Sequence, residues 1–265
     1  MACKQNIGII GGNGWLGSAL AQAAVAASVV EPNKLMLSSR SGNKGAAASL
    51  ACHWTRDNAE LAAFSDVVIL SVRPAQFKAM AVDLKDKLVI SVMAGVSSAE
   101  IATRTLATRI VRTMPNAAAA IGRSFTPWFA KAAVTAQDRT LVQTFFSASG
   151  EAAELSEEAH VDYCAGLTGA GAAFPALLAE ALKSHAVARG LPPEFAVRAA
   201  KGVVCGASQL LASPDASAAA IVKEMIDYRG TTAAALEAML ARGFAEAVGA
   251  GLAAAEERGK SVSSG

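Results

Sequence analysis

The sequence predicts an α/β chain in two parts, a parallel sheet wrapped in helices followed by an all-helical segment. Three observations predict it. Short, continuously apolar runs recur up to about residue 155, separated by helix-prone stretches, the pattern of strands buried on both faces by their own crossovers. Beyond that point strand-like runs nearly disappear and apolar residues fall at helical spacing. Between the first apolar run and the first helix lies a glycine-rich turn, Gly12-Asn13-Gly14-Trp15-Leu16-Gly17.

The elements follow in order. Asn6–Ile10 is the first strand, ending in glycines, and a small-residue helix follows from Trp15 to about Ser28. Lys34–Ser39 is the second strand and Val67–Val72 the next clear one, with a helical stretch after Pro74. Leu88–Val92 precedes a helix starting near Ser97 and Ser98, and Arg109–Thr113 is a further strand. In the second part Phe174, Leu177, Leu178, Ala181, Leu182 and His185 share a helical stripe. Ile221, Val222, Met225 and Ile226 form another, and Leu236, Met239, Leu240, Val248 and Leu252 continue the pattern. Many faces there carry only Ala and Gly, so backbones can approach closely, and a helical segment this short points to a partner copy that completes its core. The alternative is a plain Ala-rich bundle. We place the domains at 1–156 and 157–265, with the polar tail Lys260–Gly265 expected to fray.

Composition narrows the function. Of 265 residues, 53% are hydrophobic and 17% charged, which suits a sizeable core. A net charge of +2, with no run of like charge, gives no reason to expect nucleic acid or an anionic membrane. The four cysteines, Cys3, Cys52, Cys164 and Cys205, are widely separated, and the three histidines form no pair at helical spacing. A disulfide scaffold or a metal site is therefore not expected. The N-terminal residues show no signal-peptide pattern, and Ala-rich runs such as Ala19–Val30 are too short to span a bilayer. The expectation is a cytoplasmic protein with no membrane partner.

The glycine turn is the strongest local motif. It follows a strand and opens a helix, the context a dinucleotide-binding fingerprint requires. The first glycine permits a tight turn, the second lets a pyrophosphate approach the backbone, and the third lets helix and strand pack closely. The helix N-terminus then offers unpaired N–H groups to phosphates. Gly12, Asn13, Gly14, Trp15 and Leu16 are thus cofactor-site candidates in a Rossmann-like domain. The second strand ends Ser38-Ser39-Arg40-Ser41, with no acid to take ribose hydroxyls. Ser39 and Arg40 suit a 2′-phosphate instead, which predicts NADP. Two more strand ends face the same crevice by topology, Ser71-Val72-Arg73-Pro74 and the segment ending Ala94-Gly95. Ordinary loop chemistry explains them equally well on local grounds.

Several segments together resemble pyrroline-5-carboxylate reductases. Arg112-Thr113-Met114-Pro115-Asn116 matches that family's R-x-M-P-N segment, and Val72-Arg73-Pro74 is similar to its V-K-P. Ile90–Ser97 looks like its stretch ending in A-G, and Leu167–Phe174 resembles its L-S-G-S-G-P-A-Y. Glu180-Ala181-Leu182, Gly190-Leu191-Pro192 and Gly230-Thr231-Thr232 follow in the family's order. The resemblance implies reduction of the cyclic imine 1-pyrroline-5-carboxylate to L-proline with NAD(P)H. It also implies a Rossmann-like domain followed by an all-α dimerisation domain, as homodimer or higher oligomer, with the active site shared between subunits. It makes Thr232 the hydrogen-bond partner of the imine nitrogen, with Thr231 beside it, and places Asn116 near the nicotinamide. On local grounds alone Gly-Thr-Thr is equally a helix cap and Asn116 a turn residue.

Three departures stand out. The glycine turn is one residue longer than the family form. Gly169–Phe174 lacks a serine, a proline and a phenolic hydroxyl of the family pattern. Asp227-Tyr228-Arg229 stands where the family has Ser-Pro-Gly. An Asp227 carboxylate repels a substrate carboxylate, though it can stabilise an iminium, and Arg229 can restore carboxylate binding. The competing readings are a reductase of another cyclic imine, a β-hydroxyacid dehydrogenase relative using Lys183 or Lys201, and a non-catalytic nucleotide-binding protein.

Overall fold

The structure is a computed structural model and describes residues 3–213 and 215–264, with side chains as far as 259. The chain divides into two compact units, one reaching to Ala170 and joined by the residues from Ala253 onward, the other spanning Gly171–Leu252.

The first unit is built on an eight-stranded sheet: β1 (Ile7–Ile10), β2 (Leu35–Ser38), β3 (His53–Thr55), β4 (Val67–Leu70), β5 (Leu88–Ser91), β6 (Arg109–Thr113), β7 (Ser124–Ala130) and β8 (Gly150–Glu154). Their order is β3-β2-β1-β4-β5-β6-β7-β8. Every pair is parallel except β6 with β7, which runs antiparallel. The first six strands have the order of nucleotide-binding α/β folds, and the order reverses between β1 and β4. The crossovers contain α1 (Trp15–Ala26), α2 (Asn58–Phe64), α3 (Pro74–Lys78) and α4 (Ser98–Thr105), and α5 (Ala136–Ser147) joins β7 to β8.

The apolar runs are continuous because both faces are covered. Alternate residues of one strand enter different cores. Ile7 and Ile9 of β1 and Val67 and Ile69 of β4 pack with Leu20 and Ala24 of α1 and Phe145 and Phe146 of α5. Ile10, Val68 and Leu70 pack instead with Leu61 of α2, Phe77 of α3 and Ile101 of α4. Each such side chain, taken fully out of water, contributes about 1.5–3 kcal/mol. Five strands lie where the sequence predicts them, and β6 has the predicted ends. The helical stretch after Pro74 is a single short helix, and β3, β7 and β8 are additions to the expectation.

After the sheet come α6 (Ala159–Cys164) and a π-helical turn at Ala165–Gly169. The second unit holds α7 (Ala173–Ala188), α8 (Pro193–Lys201), α9 (Ala218–Asp227) and α10 (Thr231–Ala241), and α11 (Phe244–Ser264) follows. It is all helix, as expected, with π and 3₁₀ turns at Gly202–Gly206 and Ala207–Ala212. Its own core is thin: α7 and α9 bury no residue, while Leu177 (71%), Leu210 (70%) and Val203 (55%) are exposed. Apolar faces of this extent mark a surface meant to be covered. The helical run Ala159–Ala188 is long and apolar enough to cross a bilayer by length and composition, with mean hydropathy 1.3. It is longer than Ala19–Val30, the Ala-rich run that the sequence shows to be too short. Met1, Ala2, Pro214 and Gly265 lie outside the described residues, as do the side chains of the polar tail expected to fray.

Candidate active site

The crevice at the carboxyl ends of β1, β2 and β4 is a cavity of about 420 Å³. Asn13, Arg40 and Val72, all predicted, line it together with Gly11, Ser41, Arg56, Asn58 and Gln76. The glycine turn explains the opening. Gly11 has φ +81°, and a Cβ there would run into the Ser71 carbonyl oxygen, so the tight-turn role falls one residue before the predicted Gly12. Gly12 is buried instead, its N–H donating to the Ser38 carbonyl at 3.1 Å and its Cα facing Leu37. Gly17 meets the expectation for the third glycine, since a Cβ there would stand 2.8 Å from the Gly11 oxygen. Gly14 caps α1 with no side-chain hydrogen bond. The first turn of α1 therefore has its N–H groups open to an acceptor, the fit a pyrophosphate requires.

The other candidates divide. Trp15 is exposed on the first turn of α1, while Leu16 packs on the core. Ser39 is buried, with its N–H on the Thr55 carbonyl and its hydroxyl 3.3 Å from that of Ser41. Ser71 donates its N–H to Ile10, Arg73 caps α3, and Pro74 is that helix's first residue. Ala94 is exposed beside Gly95, whose φ is +69°. Asn116 is buried: its Oδ1 accepts from the Ala118 N–H at 2.9 Å and its Nδ2 donates to the Thr168 carbonyl at 2.9 Å.

The segment holding Asn116 is anchored by a charge cluster. Arg112, 2% exposed, donates to Glu158 Oε1 at 3.0 Å and to Asp162 Oδ1 at 2.6 Å. Glu158 in turn accepts from the N–H and hydroxyl of Ser98, at 2.7 and 2.6 Å, so a carboxylate sits at the start of α4. Burial pushes the Glu158 carboxyl up, but the Ser98 bonds and Arg112 outweigh it and hold the group below its ordinary value of 4.5. The folded state thus binds fewer protons there than the unfolded chain. Its stabilisation is complete above the ordinary carboxyl range and is lost as pH falls through that range to the lower folded value. Acid unfolding followed by circular dichroism is expected to begin below about pH 4.5 and to be shallower in Glu158→Gln. Equal slopes in both proteins would contradict this.

In the helical unit Thr231 and Thr232 are the first residues of α10 and are exposed. The sequence offered them as caps, but Gly230 takes that position and neither hydroxyl caps the helix. Asp227 ends α9 and forms an ion pair with Lys223. Arg229 is in the left-handed region (φ +55°), and Tyr228 is 84% exposed. Lys183 and Lys201 line a separate cavity of about 430 Å³, where Lys183 lies 2.6 Å from Glu180.

The doubly wound sheet, the glycine turn and the cation-rimmed crevice at the strand-order reversal define a dinucleotide-dependent oxidoreductase. Residues 6–95 match the family model described as NADP oxidoreductase, coenzyme F420-dependent, and residues 158–262 match pyrroline-5-carboxylate reductase dimerisation. Among curated relatives, the pyrroline-5-carboxylate reductase of Methanosarcina acetivorans is 30% identical over 98% of both chains. That of Pseudomonas aeruginosa is 33% identical over 80% of each. The solved structure of the Coxiella burnetii pyrroline-5-carboxylate reductase superposes with a TM-score of 0.89 at 30% identity, covering 98% of this chain and 99% of that one. The chain belongs to the pyrroline-5-carboxylate reductase family, and the dimerisation match makes it a subunit of a homo-oligomer.

Proposed function

We propose that this protein reduces 1-pyrroline-5-carboxylate to L-proline with NADPH, the last step of proline biosynthesis. The observation that supports it most is full-length similarity to pyrroline-5-carboxylate reductases across both units. The open turn at Gly11–Gly14 and the first turn of α1 hold the pyrophosphate, and Arg40 takes the 2′-phosphate. When bound, the nicotinamide supplies hydride to the C=N carbon. The chain's own part is positioning and proton handling. Asn116 is held rigid on the Thr168 carbonyl and keeps the nicotinamide end of the crevice in place. The imine is most easily reduced when protonated, and the Thr232 hydroxyl, free of any cap bond, accepts from its ring N–H. Thr231 stands beside it as a second hydroxyl.

Asp227 is the departure this reading must accommodate. Its ion pair with Lys223 offsets the charge that would repel the substrate carboxylate. Asp227→Ser is expected to raise kcat/KM for pyrroline-5-carboxylate about two- to tenfold, because a like charge is removed. An imine without the carboxylate should gain nothing. No change with either substrate would put Asp227 outside the site, and a rise with the carboxylate-free imine alone would favour the other cyclic-imine reading.

The helical unit pairs with a second copy as a homodimer, which covers Leu177, Val203 and Leu210. We place the functional boundary at 156/157, just past the end of β8. The four cysteines are free, in keeping with a reducing cytoplasm.

A further inference from the structure

We propose that Arg56, at the end of β3, sets the choice of cofactor together with Arg40, the two guanidiniums gripping the 2′-phosphate of NADP(H). This rests on the dinucleotide reading above and assigns the residue that decides it.

Three observations support it. Arg56 and Arg40 line the same cavity, and Ser41 lines it too. Arg56 is also held in place before any ligand arrives. Its Nη2 donates to the Ser41 carbonyl at 2.7 Å, and its Nε lies 2.6 Å from where a Cβ on Gly42 would stand. Gly42, at φ +77°, thus lets the guanidinium lie flat on the loop after β2. The remaining N–H donors of the fork are left for a ligand, and a fork already fixed loses little freedom on binding.

The charge balance is the third observation. Neither arginine forms an ion pair among the described residues, and no carboxylate lines the cavity. The two acids that follow Arg56 are occupied elsewhere. Asp57 accepts from the Ala59 N–H at the start of α2, and Glu60 accepts from the Thr55 hydroxyl. Two uncompensated cations facing one opening suit a phosphomonoester dianion, whereas a free ribose diol requires an acceptor that this rim lacks.

The test is titration calorimetry of 2′,5′-ADP and 5′-AMP into the whole protein with no imine present. Wild type is expected to prefer 2′,5′-ADP. Arg56→Ala should lower that preference about ten- to hundredfold, the effect of losing charge-assisted hydrogen bonds. Arg56→Lys should recover only part of it, since an ammonium cannot reproduce the fork. The NADPH-to-NADH ratio of kcat/KM should fall in step. A preference in Arg56→Ala within about twofold of wild type overturns the proposal. Parallel loss of both nucleotides overturns it too, since that marks a general structural role. A wild type that does not distinguish the two nucleotides overturns the proposal together with the NADP reading. If the preference behaves as expected while no imine is reduced, the proposal stands and only the substrate reading fails.

Discussion

Replacing Arg112 with alanine is expected to lower the melting temperature by roughly 10 °C, the largest stability effect of any single substitution considered for this chain. The reason is desolvation. Arg112 is almost fully buried, and its guanidinium answers two carboxylates, Glu158 and Asp162. Removing it leaves both acids partly withdrawn from water without their cation, a change that typically costs about 3–5 kcal/mol. One donor of the cluster, Arg112 Nε, lacks a partner, so the anchoring rests on the two terminal nitrogens that meet Glu158 and Asp162. Neutralising the acids as well, in Arg112→Ala with Glu158→Gln and Asp162→Asn, is expected to restore about half of the loss. Differential scanning calorimetry decides it: a fall of the same size in the triple variant would mean that Arg112 acts through packing rather than charge. Asn116 shares a short segment with Arg112, so the single variant should also weaken cofactor binding.

The largest effect on turnover is expected at Thr232. Thr232→Ala should reduce kcat about a hundredfold, at the low end of what a positioned proton partner contributes. The KM for NADPH should stay within about threefold of wild type, because the residue lies in the helical unit and the dinucleotide crevice in the other. Thr232→Ser keeps the hydroxyl and should retain most of the activity. Thr231→Ala separates the two threonines. A smaller loss there is expected, and the reverse order would transfer the imine-nitrogen role to Thr231. Since neither hydroxyl caps α10, loss of activity in Thr232→Ala cannot be ascribed to a lost cap.

What the sequence revealed follows from burial. β1, β2, β4 and β5 are covered on both faces, so they read as apolar runs, while β6 shows only its central Ile110-Val111 pair between Arg109 and Arg112. β3 has three residues at the sheet edge, β7 contains Pro127, and β8 is Gly-Glu-Ala-Ala-Glu, so none carries that signature. The site divides along the same line. Arg40 was legible because it ends a legible strand, and Arg56 was not because β3 was not. Gly11 was passed over because glycines run together at 11 and 12, and only φ tells which one turns. The threonines of α10 were visible through family resemblance alone, since Gly-Thr-Thr before an Ala-rich helix looks the same whether it caps or catalyses. The Arg112 cluster joins residues 46 and 50 positions apart, a distance no local pattern spans.

The most direct test of the central claim is nicotinamide absorbance during reaction of the purified protein with NADPH and 1-pyrroline-5-carboxylate, with proline measured in the same vessel. The account predicts one L-proline for each NADPH consumed, faster than with any cyclic imine lacking the carboxylate. NADPH consumption only with such an imine, or binding of NADPH with no turnover at all, would contradict it.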